Sequence, residues 1–192
     1  MNNTKIKLYA DGPTPEQINQ RYSINVDGYT FNPSLFKKNG AKDYLEYSKK
    51  IIDECKHKPI SLEVFADDEE NMIRQGKLLN SLGKNIFVKI PIVYTNGEST
   101  LNVIKTLSED GIKLNITAIF LLDQIKKILP SIKNTSSILS IFAGRLYDSG
   151  IDAKEKMTEI NNYVHQNSLC LTLWASTRMA YDYIAANSIK TD

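Results

Sequence analysis

Short apolar, β-branched runs alternate with longer charged runs along the whole chain. Seven of the short runs read as strands: KIKLYAD (5–11), VDGYTFN (26–32), ISLEVFA (60–66), NIFVKIPIV (85–93), IKLNITAIF (112–120), ILSIFAG (138–144) and SLCLTLWAS (168–176). Between them, apolar residues recur at spacings of three and four, as in Ile51, Ile52 and Cys55, or Leu101, Ile104 and Leu107. That period predicts helices at 14–22, 43–55, 68–83, 98–111, 121–132, 152–167 and 177–187. Thr14-Pro15-Glu16 reads as a helix start, and Gly83 and Gly111 as left-handed helix ends.

Strand then helix, repeated seven times, predicts parallel strands joined by right-handed crossovers. Two architectures satisfy the pattern, a doubly wound open sheet and a (β/α)8 TIM barrel. The first strand-to-helix turn, YADGPTPEQ, has one glycine and lacks a glycine-rich phosphate loop, which weakens the nucleotide-binding sheet. At 192 residues the expectation is a single domain spanning 1–192.

Composition narrows the classes. A net charge of +2 without a basic run gives no reason to expect nucleic acid. The longest apolar runs are strand-length, so no membrane partner is expected, and the charged N-terminal MNNTKIKLYADG reads as cytoplasmic. Cys55 and Cys170 are far apart and read as free thiols, while His57 and His165 lack neighbours at ligand spacing. No metal and no cofactor are expected.

The strand ends carry the candidate chemistry. Lys89 interrupts the otherwise apolar NIFVKIPIVY. On that stretch alone it reads as a lysine whose stem packs while its head reaches water, or as a desolvated amine able to attack a carbonyl. Every other predicted strand also delivers a polar group near its carboxyl end. Asp11 ends the first, Thr30 and Asn32 the second, and Glu63 lies on the third. Asn115 and Thr117 lie on the fifth, Ser140 with Arg145 closes the sixth, and Ser176 with Arg178 closes the seventh. In a barrel such residues share one mouth, which favours a functional Lys89.

With these residues the sequence resembles the transaldolase family. FNPSL (31–35), EVFAD (63–67), FVKIP (87–91), LNITAIF (114–120), SIFAGRLYD (140–148) and WASTR (174–178) follow the family's order and spacing. The resemblance implies a metal-free, Schiff-base enzyme on a (β/α)8 barrel acting on sugar phosphates, with a homo-oligomer left open. It implies Lys89 as the nucleophile toward a ketose C2 carbonyl, Asp11 as the base at the C4 hydroxyl, and Glu63 with Thr117 holding a water. Thr30, Asn32, Asn115 and Ser140 would grip the substrate hydroxyls, with Phe142 beside them, and Arg145, Ser176 and Arg178 would clamp phosphate.

Each of these has a plainer reading. Asp11 could cap the first helix, Glu63 could simply pair with Lys89, the amides could be structural, and the arginines could form surface ion pairs. In the related fructose-6-phosphate aldolases the position of Phe142 resembles tyrosine and that of Glu63 glutamine, so this pair leans toward a transaldolase that moves a dihydroxyacetone unit. The alternatives are an aldolase releasing free dihydroxyacetone and an inactive truncated barrel. Phe31 replaces a threonine of many relatives on a face turned from the lumen, whereas Trp174 and Phe142 are expected to pack the lumen. The chain stops where the family would continue, so Ile189 to Asp192 is read as the opening of a truncated eighth strand.

Overall fold

A computed structural model describes residues 6–20 and 25–192. Lys5 of the first predicted strand and residues 21–22 of the first predicted helix lie outside the described residues. The elements run β1 (Tyr9–Asp11), α1 (Pro15–Asn19), β2 (Gly28–Phe31), α2 (Pro33–Lys38), α3 (Tyr44–Cys55), β3 (Ile60–Glu63), α4 (Glu69–Asn80) and β4 (Ile86–Pro91). They continue with α5 (Leu101–Glu109), β5 (Leu114–Ile119), α6 (Leu122–Ile132), β6 (Ile138–Ile141), α7 (Ala143–Asp148), α8 (Ala153–Asn167), β7 (Leu171–Trp174) and α9 (Tyr181–Ser188). All seven predicted strands form, each shorter than its apolar run. Strand order in the sheet is the chain order, and the pairs with a recorded register are parallel. The architecture is therefore α/β with the strand sequence of a βα barrel.

The described chain gathers into two compact units, residues 7–89 and a second made chiefly of residues 90–192. In the first unit the helices start where a side chain can satisfy the orphan amides. Thr14 Oγ1 accepts from Gln17 N at 3.3 Å while Gln17 Oε1 accepts from Thr14 N at 2.9 Å, a reciprocal cap. The carboxylates of Asp43 and Asp68 cap α3 and α4, accepting from Glu46 N at 2.8 Å and Asn71 N at 2.9 Å. The core joins Ile60, Leu62 and Val88 of the strands to Ile51 of α3 and Phe36 of α2. The Phe36 ring lies 5.3 Å from Phe31, 4.9 Å from Tyr44 and 4.7 Å from Tyr47. Phe31 thus packs on the helix side, as its alternation predicts.

In the second unit, Val103, Ile104 and Leu107 of α5 and Ile125, Ile128 and Ile132 of α6 are fully buried, as are Leu114 and Ile116 of β5 and Leu139 of β6. Burying each such side chain stabilises the fold by roughly 1.5–3 kcal/mol before entropy is counted. Asp152 caps α8 through Lys154 N and Glu155 N.

Several expectations need correction. Two short helices, α2 and α7, were not anticipated, and α7 begins inside the run read as the sixth strand. Gly111 takes a left-handed φ of 74°, but Gly83 does not. Trp174 is not placed to pack a lumen: it shares its register position with Ile141, and its ring lies 6.1 Å from Tyr147 of α7. Residues 189–192 form a turn and an irregular tail rather than a strand. Asp192 Oδ2 accepts from Thr172 N at 2.8 Å and Thr172 Oγ1 at 3.2 Å, and sits 2.8 Å from His165 Nε2. Side-chain capture of β7 replaces the predicted strand pairing there. Among the described residues, no helix is long and apolar enough to cross a membrane.

Candidate active site

In residues 7–89 the register aligns one polar row. Asp11 stands beside Thr30, Thr30 beside Ser61, and Glu63 beside Lys89. Register partners in a parallel sheet share a face, so Asp11, Thr30, Glu63 and Lys89 project from the same side. Thr30 Oγ1 donates to Asp11 Oδ1 at 2.7 Å. Lys89 Nζ lies 3.0 Å from Glu63 Oε2, with the lysine side chain only 9% exposed. Burial raises the Glu63 carboxyl above its ordinary value, outweighing the pull of Lys89 in the other direction, and Asp11 adds to the rise.

The scaffold beneath this row is specific. A Cβ on Gly28 would come within 2.3 Å of the Tyr9 ring, so the tyrosine covers β2 only because position 28 is glycine. Tyr44 Oη donates to the Glu63 carbonyl at 2.7 Å, and Gln75 Oε1 accepts from both Phe65 N and Ala66 N at 3.0 Å. Those two side chains hold the strand end that carries Glu63. Asp11 does not cap α1, a role taken by Thr14. Asn32 does act as a cap: its Oδ1 accepts from Leu35 N at 2.8 Å, which leaves its amide NH2 end for any ligand.

In residues 90–192 a second row forms on β5 and β6. Ser140 Oγ donates to Asn115 Oδ1 at 2.7 Å, and both residues are buried. Between Ile116 and Ile119 the register slips, so Thr117 and Ala118 together face one residue of β6. Ala118 takes a left-handed φ of 58°, uncommon for a residue with a Cβ. The bulge leaves Thr117 1% exposed with its Oγ1 buried and unpartnered among the described residues. An orphan hydroxyl at that depth is costly unless something else binds it. Phe142 opens α7, with its ring 5.8 Å from Phe120.

The third group also lies in this unit. Arg178 Nη1 donates to Ser176 Oγ at 3.0 Å and to Ser176 O at 3.2 Å. Its Nε and Nη2 form a two-pronged contact with Asp148 at 3.1 and 2.6 Å, and Arg145 Nη1 lies 3.7 Å from the same carboxylate. Ser176 has a φ of 61°, and a Cβ on Gly144 would lie 1.6 Å from Ser176 O. Glycine at 144 lets the start of α7 seat directly against the β7 exit. The three residues predicted to clamp phosphate are therefore brought together, around an acid that was not predicted.

Among the described residues no group of three or more His, Cys, Asp or Glu stands in position to hold a metal. Cys55 and Cys170 are free and buried, with burial pushing the Cys55 thiol up to about 12 and Cys170 upward too, so neither suits a nucleophile.

Residues 8–191 match the family Transaldolase/Fructose-6-phosphate aldolase. The chain belongs to this family. A probable transaldolase of Ruegeria sp. is 39% identical over 156 residues, covering 81% of this chain and 68% of the relative. One from Bartonella henselae is 32% identical over 169 residues, covering 85% and 74%. In fold, the chain is similar to a dihydrodipicolinate synthase from Rhodopseudomonas palustris, with a TM-score of 0.60 at 15% identity over 90% of this chain. It spans 64% of that synthase's length.

The side chains that went unread in the sequence are supports. Tyr44, Gln75 and Asp148 bear on strand ends and arginines. So does Gln124, whose Oε1 accepts from Phe120 N and Leu121 N. Asp148 alone left a signal, an acid three residues after Arg145 on one helical face.

Proposed function

We propose that this chain is a transaldolase-type enzyme moving a dihydroxyacetone unit from a ketose phosphate to an aldose phosphate through a Schiff base on Lys89. The observation that carries the reading is the ion pair of buried Lys89 with half-buried Glu63, on the same face as Asp11 and Thr30. The Glu63 carboxyl, made a weaker acid by burial, is a competent partner for the proton that Lys89 must shed before it attacks.

Lys89 Nζ bonds to C2 of the ketose, and the carbonyl oxygen takes a proton to give a carbinolamine. Loss of that hydroxyl as water leaves an iminium. Asp11, oriented by Thr30, takes the proton of the C4 hydroxyl. The C3–C4 electron pair then moves into the iminium, an aldose phosphate leaves, and an enamine remains on Lys89. The enamine carbon attacks the carbonyl of an incoming aldose phosphate, whose oxygen takes back a proton. Hydrolysis of the new iminium frees Lys89.

Further polar groups support the reading as recognition groups. The Thr117 hydroxyl has no partner among the described residues and suits a bound water or a substrate oxygen. Asn115 with Ser140, and the NH2 of Asn32, suit the dihydroxyacetone hydroxyls. Two guanidinium groups and Ser176 suit phosphate.

Transfer rather than release is favoured by Phe142, whose ring against Phe120 brings no proton donor for the enamine. The test is the initial rate of release of the first aldose from a ketose phosphate, with and without an acceptor aldose phosphate. A transferase releases it faster with acceptor. A rate indifferent to acceptor, with dihydroxyacetone formed one for one, would mark an aldolase.

A further inference from the structure

Arg178 spends its guanidinium on an anion that the protein itself supplies. Nε and Nη2 reach the two oxygens of Asp148 at 3.1 and 2.6 Å, and Nη1 is held by Ser176. Arg145 leans on the same Asp148 oxygen at 3.7 Å. A carboxylate and a phosphate ask for the same fork of donors, so Asp148 sits in the anion position of this group. Each partner reinforces the other: Arg178 holds the Asp148 carboxyl below its ordinary value, and Asp148 holds Arg178 above its own.

Asp148 is not needed to hold the backbone that presents Arg178. That backbone is fixed by Asp182, 2% exposed, whose Oδ2 accepts from Arg178 N at 2.6 Å and Met179 N at 3.3 Å. Its seat under Ser176 is fixed by Gly144. Asp148 by contrast is exposed and ends a short helix.

We propose that Asp148 is a specificity-determining residue that competes with a substrate's phosphate for Arg178 and Arg145. The inference rests on the reading of these arginines as the phosphate clamp. Asp148 lowers affinity for the phosphorylated end and narrows the preference for phosphorylated over unphosphorylated acceptors. It takes up Arg178 again as product leaves, so the guanidinium keeps its geometry between turnovers.

The experiment compares wild type, Asp148→Asn and Arg178→Ala by calorimetric titration with inorganic phosphate. The ratio of KM for a phosphorylated to an unphosphorylated acceptor aldose is measured alongside. Asp148→Asn keeps the size and an acceptor oxygen but loses the charge. It should bind phosphate roughly two- to five-fold tighter and lower the KM ratio by the same factor, the span set by an exposed ion pair. Asp148→Ser carries the same expectation if the asparagine variant folds poorly. Phosphate binding lost in Arg178→Ala, yet unchanged or weakened in Asp148→Asn, would overturn competition while leaving the clamp standing. Phosphate binding unchanged in Arg178→Ala would remove the clamp and this inference with it.

Discussion

Glu63 shows how burial and pairing oppose each other at one carboxyl. Burial holds its carboxyl above the ordinary value of 4.5, because desolvation outweighs the pull of Lys89. The folded state therefore binds more protons than the unfolded state above that pH. Stability then falls as pH rises from 4.5 through the folded value and levels off beyond it. The unfolding midpoint of wild type, measured relative to Glu63→Gln, should drop over that interval and then stay flat. A difference that ignores pH would show that Glu63 titrates as a solvated acid. Lys89 stood out only in company: NIFVKIPIVY alone allows a packed stem with its head in water, and the polar residues ending the other strands made it a candidate. Glu63 was legible as a residue, and its 3.0 Å contact with Lys89 was anticipated as the plainer reading. The double duty of Asn32, ligand candidate and helix cap, was missed. Asn32-Pro33 carries the same cap-and-proline signal as Thr14-Pro15, but it was read only for chemistry because no periodic run follows it.

At the scale of elements, the β5 bulge leaves the Thr117 hydroxyl buried and unpartnered among the described residues. Nothing in LNITAIF signals it, since bulges with a left-handed residue usually advertise themselves by glycine and this one uses Ala118. Ala118→Val should cost about 1–3 kcal/mol in denaturant unfolding, because a β-branched side chain resists that φ. A neutral result would mean the bulge relaxes. The α7 start makes a sharper demand. A methyl at 144 cannot remain 1.6 Å from Ser176 O, so Gly144→Ala must push α7 from the β7 exit. Overpacking of this kind costs about 1–3 kcal/mol. Kinetics should show a higher KM for phosphorylated acceptors as well, since Ser176 and Arg178 move with that backbone. Both short helices escaped a periodic reading for one reason: six residues cannot display a 3.6 period.

For the whole molecule, the order of seven strands and their βα alternation was legible because parallel strands, buried on both faces, are the longest β-branched runs in the chain. The tail was misread by the same logic. Ile189 to Asp192 carries an apolar residue at a strand-like distance, but its role is set by Asp192 and its partners on Thr172 and His165. Such side-chain captures leave no periodic trace. The family could be read, and Lys89, Asn115 and Arg178 could be named as candidates, whereas the side chains that support them belong to packing that only coordinates reveal. In the proposed scheme an iminium supplies the electron sink that a Lewis acid would otherwise provide, so a chelator should leave turnover unchanged. Activity lost in chelator and restored by a divalent ion would contradict the scheme.

The proposed transfer reaction requires a covalent bond between Lys89 and the ketose. The direct measurement is intact mass and peptide mapping after incubation with a ketose phosphate and borohydride, which reduces an iminium to a stable secondary amine. The account predicts one dihydroxyacetone-derived adduct per chain on Lys89, absent without borohydride and absent in Lys89→Arg, whose guanidinium cannot act as the nucleophile. Folded protein that gains no adduct, or gains it on another lysine, would contradict it.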